Sequence, residues 1–176
     1  MALRIAMAYR KVSTPAILVV AGTIPAHLVA RERQEKYRQK WDESEKGRWT
    51  RRLIKDIDIW TNRGFGNVDF HLTQMLTGHG CFGYYLNKYK IRASSECVDC
   101  QAPVDDAEHT IFMCDRWWRE RRSLEVNVGS DIGAESIVQI MLQSKRNWLA
   151  VKTFVAKSLG TKEEEERQAE RRRMLN

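Results

Sequence analysis

The chain has 176 residues, enough for one domain with a proper core or two very small ones. Hydrophobic residues make up 43% and charged residues 30%, a balance that excludes a disordered chain. The formal charge is +7 with pI near 9.4, and its uneven distribution points to a polyanionic partner.

Residues 1 to 31 contain no acid, and PAILVVAG follows Arg4, Arg10 and Lys11. That is a faint echo of a secretory or transit segment. The apolar run is too short and interrupted to span a bilayer, and no other stretch qualifies. Ser13-Thr14-Pro15 sets a capping hydroxyl and a proline ahead of AILVVA, and Gly22 stands at a helix stop. Thr23 and Pro25 repeat the device and open a second helix reaching about Glu45. Residues 31 to 55 carry ten basic and five acidic side chains interleaved with Tyr and Trp. Such a stripe suits a phosphate backbone, or equally a solvated helix face.

Leu53, Ile54, Ile57 and Trp60 predict one amphipathic helix, with Arg51, Arg52 and Lys55 off its apolar face. Residues 63 to 67 read as a turn. Val68, Leu72, Met75 and Leu76 make the next helical stripe, ended by Gly78; Phe82, Tyr85, Leu86 and Tyr89 make another. Residues 91 to 104 read as loop, and Asp105 with Glu108 forms a capping box for a helix to about Leu124. After the loop VNVGSDIGA, Ile137 to Leu159 predict a helical pair closed by Gly160. The neutral tail from Lys162 to Asn176 has five basic and five acidic residues, with Glu163–Arg167 and Glu170–Arg173 at helix-neighbour spacing. The expected fold is mainly α: a multi-helix domain with a small cysteine-bearing (CCHC) loop inserted between helices. The expected divisions are 1–45, N-terminal helices; 46–125, a helical region with the loop at 97–114; and 126–176, a helical pair and charged tail.

That loop carries the chemistry. Cys97, Cys100, His109 and Cys114 follow C-x2-C-x8-H-x4-C. Two thiolates on a tight knuckle, completed by an imidazole and a third thiolate, make the donor set of a closed structural zinc site. Four protein ligands leave no position for a reacting water. A disulfide framework would need a chain denser in cysteine and would leave His109 without a role; plain core packing would leave the knuckle spacing unexplained. In an unbroken α-helix residues five apart point about 140° away from each other, so the helix must widen or break between His109 and Cys114. Cys81 beside His79 lacks partners for a second site and reads as packing.

Catalytic readings fail on pattern. The zinc deaminase signature needs H-x-E ahead of P-C-x-x-C, which is absent. Asp56 and Asp58 point about 200° apart on a helix. No phosphate-cradling glycine loop and no G-x-S-x-G is present. No catalytic residues are expected, and no small-molecule substrate.

The stretches AYRKVSTPAILVVAGTIPAHLVARER, KGRWTRRLI and FHLTQMLTGHGCFGYYLNKYKI, followed by the Cys–His quartet, resemble one known arrangement. It is the C-terminal, post-polymerase region of reverse transcriptases from insect non-LTR (LINE-type) retrotransposons. The similarity runs from about Tyr9 to Arg122, and LTGHGCF-x-x-YL together with the quartet is its specific part. The resemblance implies a zinc-knuckle-like module that grips RNA or DNA during target-primed reverse transcription, with Cys97, Cys100, His109 and Cys114 as knuckle ligands. It also implies an intracellular setting, nuclear or cytoplasmic and not secreted, and the polymerase part of a parent protein as partner. The polymerase, endonuclease and RNase H motifs have no counterpart, so the chain is expected to be a fragment, a reading frame of a decayed element, or a derived host protein. Zinc would hold Arg116, Arg119, Arg121 and Arg122 beside Trp117 and Trp118, with Arg119 and Arg122 on the face of Arg116. Arg48, Arg51, Arg52 and Lys55 are the second group of candidate nucleic-acid contacts. The alternative is a protein-interaction scaffold of retroelement origin, or a relic with no selected activity.

Overall fold

The computed structural model describes residues 17, 21–22 and 31–175. The expected capped first helix at Ser13–Pro15 and the start of the second at Thr23–Pro25 lie outside them. No strand occurs among the described residues, and the fold is mainly α, as the periodicities require.

Among the described residues eight α-helices follow in chain order: α1 Arg31–Glu43, α2 Arg48–Leu53, α3 Ile57–Asn62, α4 Phe70–Thr77, α5 Gly83–Lys88, α6 Trp118–Val128, α7 Ile137–Gln143 and α8 Lys145–Met174. Between α5 and α6 lie the cysteine loop, a π turn at His109–Met113 and a 3₁₀ turn at Asp115–Trp117. The 30-residue α8 is the spine, and α4, α6 and α7 pack along it. Trp148, Val151, Val155 and Leu159 face inward at helical spacing and are buried with Leu72, Met75, Leu76, Ile137 and Met141. Burial of that stripe, rather than intrinsic propensity, stabilises so long a helix.

Local chemistry sets the ends of α4. The Asp69 carboxylate accepts from the Leu72 N–H at 2.9 Å. Gly78, with φ of 68°, ends the helix in the left-handed conformation. At Gly66, φ is 85° and a Cβ would lie 2.3 Å from the Trp148 ring, so only glycine lets the 63–67 turn pass beneath that indole.

Three expectations are corrected. The single amphipathic helix over Leu53–Trp60 is two helices, because Ile54 leaves helical geometry and the Asp56 side chain caps a new start by accepting from Ile59 N. Ile54 and Trp60 are still buried, so the break preserves the apolar face. The helix expected from Asp105 to about Leu124 is interrupted at Cys114, and α6 then runs on to Val128, where Gly129 at φ 74° stops it. Gly160 does not close α8; the helix continues to Met174. An interior glycine costs about 1 kcal/mol. Here the next turn is tethered: Lys162 reaches Asp105 at 2.8 Å and Glu163 reaches His71 at 3.3 Å.

Candidate metal centre

The loop that bears Cys97 and Cys100 is folded on itself by backbone hydrogen bonds. Cys97 N–H donates to Ala102 O, Gln101 N–H to Cys97 O, and Asp105 N–H to Ser95 O, all at 2.8–2.9 Å. Gln101 turns the knuckle with φ of 62°, a conformation few residues other than glycine adopt easily. Asp106 then starts the next element by accepting from His109 N–H at 2.8 Å. The cap is therefore Asp106, not Asp105 as the capping box predicted.

His109 and Cys114 are brought together by the widening that their spacing demanded. Residues 109–113 form a π turn, closed by a Cys114 N–H to His109 O bond of 2.7 Å across five residues. Five residues then make close to one full turn, so both side chains leave on the same side. The four ligand atoms all lie within 4.8 Å of one another. Cys97 Sγ is 3.8 Å from Cys114 Sγ, Cys114 Sγ is 3.9 Å from Cys100 Sγ, and Cys100 Sγ is 3.2 Å from His109 Nε2. Ligands at roughly 2.3 Å (sulfur) and 2.0 Å (nitrogen) from one tetrahedral ion would lie about 3.5–3.8 Å apart. The sulfurs are far beyond the ~2.05 Å of a disulfide, and all four cysteines of the chain are free.

Cys97, His109 and Cys114 are buried, while Cys100 is half-buried at the rim. Burial, reinforced by the neighbouring Cys97 sulfur and opposed by the Arg116 backbone N–H, pushes the Cys114 thiol up to about 12. Three sulfurs packed so closely cannot all be thiolates without a cation among them. The cluster can hold a metal ion.

A second set of bonds fastens this unit to the spine. Asp105 is fully buried. Its Oδ2 accepts from Gly83 N–H at 2.9 Å and from Lys162 Nζ at 2.8 Å, and its Oδ1 accepts from Thr110 Oγ1 at 2.7 Å. One carboxylate thus joins α5, the π turn and α8. Arg116 forms a second tie, pairing with Asp99 inside the knuckle and with Glu165 of α8 at 2.6 Å, while its guanidinium lies 4.7 Å from the Trp117 ring centroid.

The candidate nucleic-acid residues separate into groups. Trp117 and Arg121 are buried, and Arg121 donates to Cys114 O at 3.1 Å, so both support the centre from within. Trp118, 58% exposed, is the indole that reaches solvent. Arg119 is exposed and ion-paired with no described residue; Arg122 is exposed, with Glu125 at 3.3 Å and Asp131 at 3.8 Å. On α2, Arg51 pairs with Asp42 and Arg52 with Glu108 and Glu135; just past it Lys55 pairs with Glu135, which leaves Arg48 without an ion pair to any described residue. Asp56 and Asp58, separated as expected, are a cap and a partner for Arg38. Cys81 is buried with Sγ 3.8 Å from Leu159 O, and His79 stacks on Tyr85, so neither approaches the quartet. Sequence reasoning missed the Asp105–Lys162 pair. Its only signal was a lysine at the polar edge of the buried α8 stripe.

With the quartet assembled by a loop and a π turn, the relatives that carry comparable sequence become informative. The chain is similar to Pol polyproteins of R1 retrotransposons. It is 25% identical over 121 residues to the retrovirus-related Pol polyprotein from type-1 retrotransposable element R1 4 of Nasonia vitripennis, a match covering 68% of this chain and 31% of that protein. The R1 2 Pol polyprotein of the same species is 30% identical over 101 residues, 57% of this chain and 24% of that protein. The R1 Pol polyprotein of Bradysia coprophila is 28% identical over 98 residues, 56% of this chain and 10% of that protein. The chain thus spans a third or less of the R1 proteins it matches. No family model matches it, and no solved structure does. No described helix is long and apolar enough to cross a membrane.

Proposed function

We propose that this chain is a zinc-stabilised nucleic-acid-binding region of an R1-like Pol protein, one that holds RNA or DNA during target-primed reverse transcription and performs no chemistry itself. The observation that carries the reading is the largely buried quartet, whose four ligand atoms lie within 4.8 Å of one another, close enough to share one ion. Three thiolates and an imidazole select zinc over hard cations, and no ligand position remains for substrate. The metal's contribution is structural: it ties the knuckle to the helix that leads into α6. Trp118, Arg119 and Arg122 then stand exposed on the first turns of α6, with Trp118 and Arg122 at neighbour spacing. That pairs a stacking surface with cations for phosphate. The working form includes the polymerase part of a parent protein and acts inside the cell, in nucleus or cytoplasm.

The reading is tested with purified chain by metal analysis and by fluorescence anisotropy with labelled single-stranded oligonucleotides at increasing KCl. The expected result is one zinc per chain and an affinity that falls steeply with salt. Charge reversal at Arg119 and Arg122 is expected to weaken binding across sequences alike. Undetectable binding at low salt by fully zinc-loaded chain would overturn it.

A further inference from the structure

A groove of about 870 Å³ runs between α6 and the first half of α8, on a part of the surface that the quartet does not use. Its apolar lining is Leu149, which is 60% exposed, with Phe154 buried beneath it. Its rim carries Arg119 from α6 and Lys145, Arg146 and Lys157 from α8. The carboxylate in its wall, Glu120, is held by Lys157 at 3.1 Å. Arg119, Lys145 and Arg146 make no ion pair with any described residue, and Arg146 donates only to the Asn127 side-chain carbonyl at 2.8 Å. Arg51 and Arg52 of α2 differ, because carboxylates of the fold itself match them. A concave, partly apolar groove with three unmatched cations along it is complementary to a ligand that carries flat apolar faces and a regular row of anions. Duplex nucleic acid hides its base faces, and an acidic peptide lacks them.

We propose that the groove between α6 and the first half of α8 seats a short single-stranded stretch of nucleic acid, with phosphates against Arg119, Lys145 and Arg146 and a base face against Leu149. This rests on the nucleic-acid reading above and extends it from the knuckle to the spine helix. Residues 119 to 127 of α6 span about 12 Å of helix axis, so the groove takes only a few nucleotides. A strand leaving it at Arg119 arrives beside Trp118, which joins the two surfaces into one path.

The test uses the zinc-loaded chain with short oligo-U, oligo-dT, a mixed-sequence duplex and polyglutamate as probes. K145A/R146A changes two exposed residues, and L149S changes an exposed floor residue, with circular dichroism as the check on folding. Removing two single-strand phosphate contacts is expected to lower the slope of log affinity against log salt by about 1.4. L149S is expected to weaken the single strands about threefold and leave the duplex unchanged. Cross-links from 4-thiouridine oligo-U are expected in residues 145–157. Either RNA or DNA satisfies the proposal, and the ratio of oligo-U to oligo-dT affinity assigns the preferred sugar. Wild-type binding with both variants unaffected and cross-links confined to the knuckle would overturn the groove alone. Polyglutamate binding as tightly as oligo-U through the same residues would make it a protein-docking site and overturn it. Absence of any oligonucleotide binding by wild type would remove the parent reading, and the groove with it.

Discussion

His109 and Cys114 are two ligands on one short element, while Cys97 and Cys100 come from a loop, so the metal's hold on each is unequal. Cys114 is 1% exposed and Cys97 2%, whereas Cys100 sits at the rim. Replacing Cys114 with serine keeps the backbone N–H that closes the π turn but leaves a buried hydroxyl among two sulfurs. Zinc content is expected to fall from about one per chain to a small fraction, with the knuckle disordered while the helices of the spine stay folded. Cys100→Ser opens a corner that water can fill. It is expected to weaken zinc retention against a competing chelator while leaving the fold detectable, a difference that metal analysis with circular dichroism measures. His79 gives a separate, pH-linked prediction. Burial, aided by Lys88, holds its pKa below the ordinary histidine value, and its Nδ1 is buried without a hydrogen-bond partner among the described residues. The unfolded chain therefore takes the proton first, so stability is kept above the ordinary pKa of about 6.5 and drops as pH falls through it. His79→Phe keeps the stack on Tyr85 and is expected to be less acid-sensitive than wild type between about pH 7 and pH 5 in urea titrations.

At the scale of elements, Asp105 and Lys162 decide how the metal loop meets the spine. Burial alone would lower the Lys162 pKa, but the Asp105 carboxylate outweighs it, and the net shift is upward. A raised pKa means the pair contributes its full stability below about pH 10.5 and loses it only as pH rises through the folded value. Lys162→Met leaves a buried carboxylate whose nearest remaining cation, Arg92, is 3.8 Å away. The cost is expected to be about 3 kcal/mol in urea denaturation. Adding Asp105→Asn should recover part of it, because the amide oxygen can still accept from Gly83 N–H. This pair was not legible in the sequence, since it joins positions 57 residues apart through one rotamer of a long side chain. The helical class, the quartet and the widened turn were legible, because each rests on local spacing: apolar periods, C-x2-C, and the 140° mismatch of H-x4-C. The break at Ile54–Asp56 and the passage of α8 through Gly160 were not. Both depend on tertiary burial and tethering that override local capping and propensity.

Across the molecule, one apolar core gathers residues from Ile17 to Leu159 and takes in Cys97 and Cys114, with Cys100 partly buried against it. That arrangement predicts how far the loss of zinc would spread. The inner faces of α4, α7 and α8 bury Leu72, Met75, Ile137, Met141, Val151 and Val155 where these helices pack on one another. Residues 91–106 lack regular helix once past α5 and are held by a few backbone bonds, Asp105 and the sulfurs. Without the ion, three crowded sulfurs must be protonated, and the knuckle loses the force that balances its ordering entropy. Hydrogen exchange before and after EDTA is therefore expected to show two responses. Amides from Ser94 to Cys114 should exchange much faster, with α6 loosened at its first turn where Trp117 and Arg121 support the centre. Amides from Ile137 to Leu159 should stay protected, as a separate cooperative unit. The groove cations of α8 belong to that unit, whereas Trp118 and Arg119 begin the other. Chelation should consequently remove knuckle binding first and leave a weaker, Lys145- and Arg146-dependent affinity for single strands. Uniform unfolding on EDTA, or no change anywhere, would show that metal and spine are not coupled through Asp105 and Arg116 in this way.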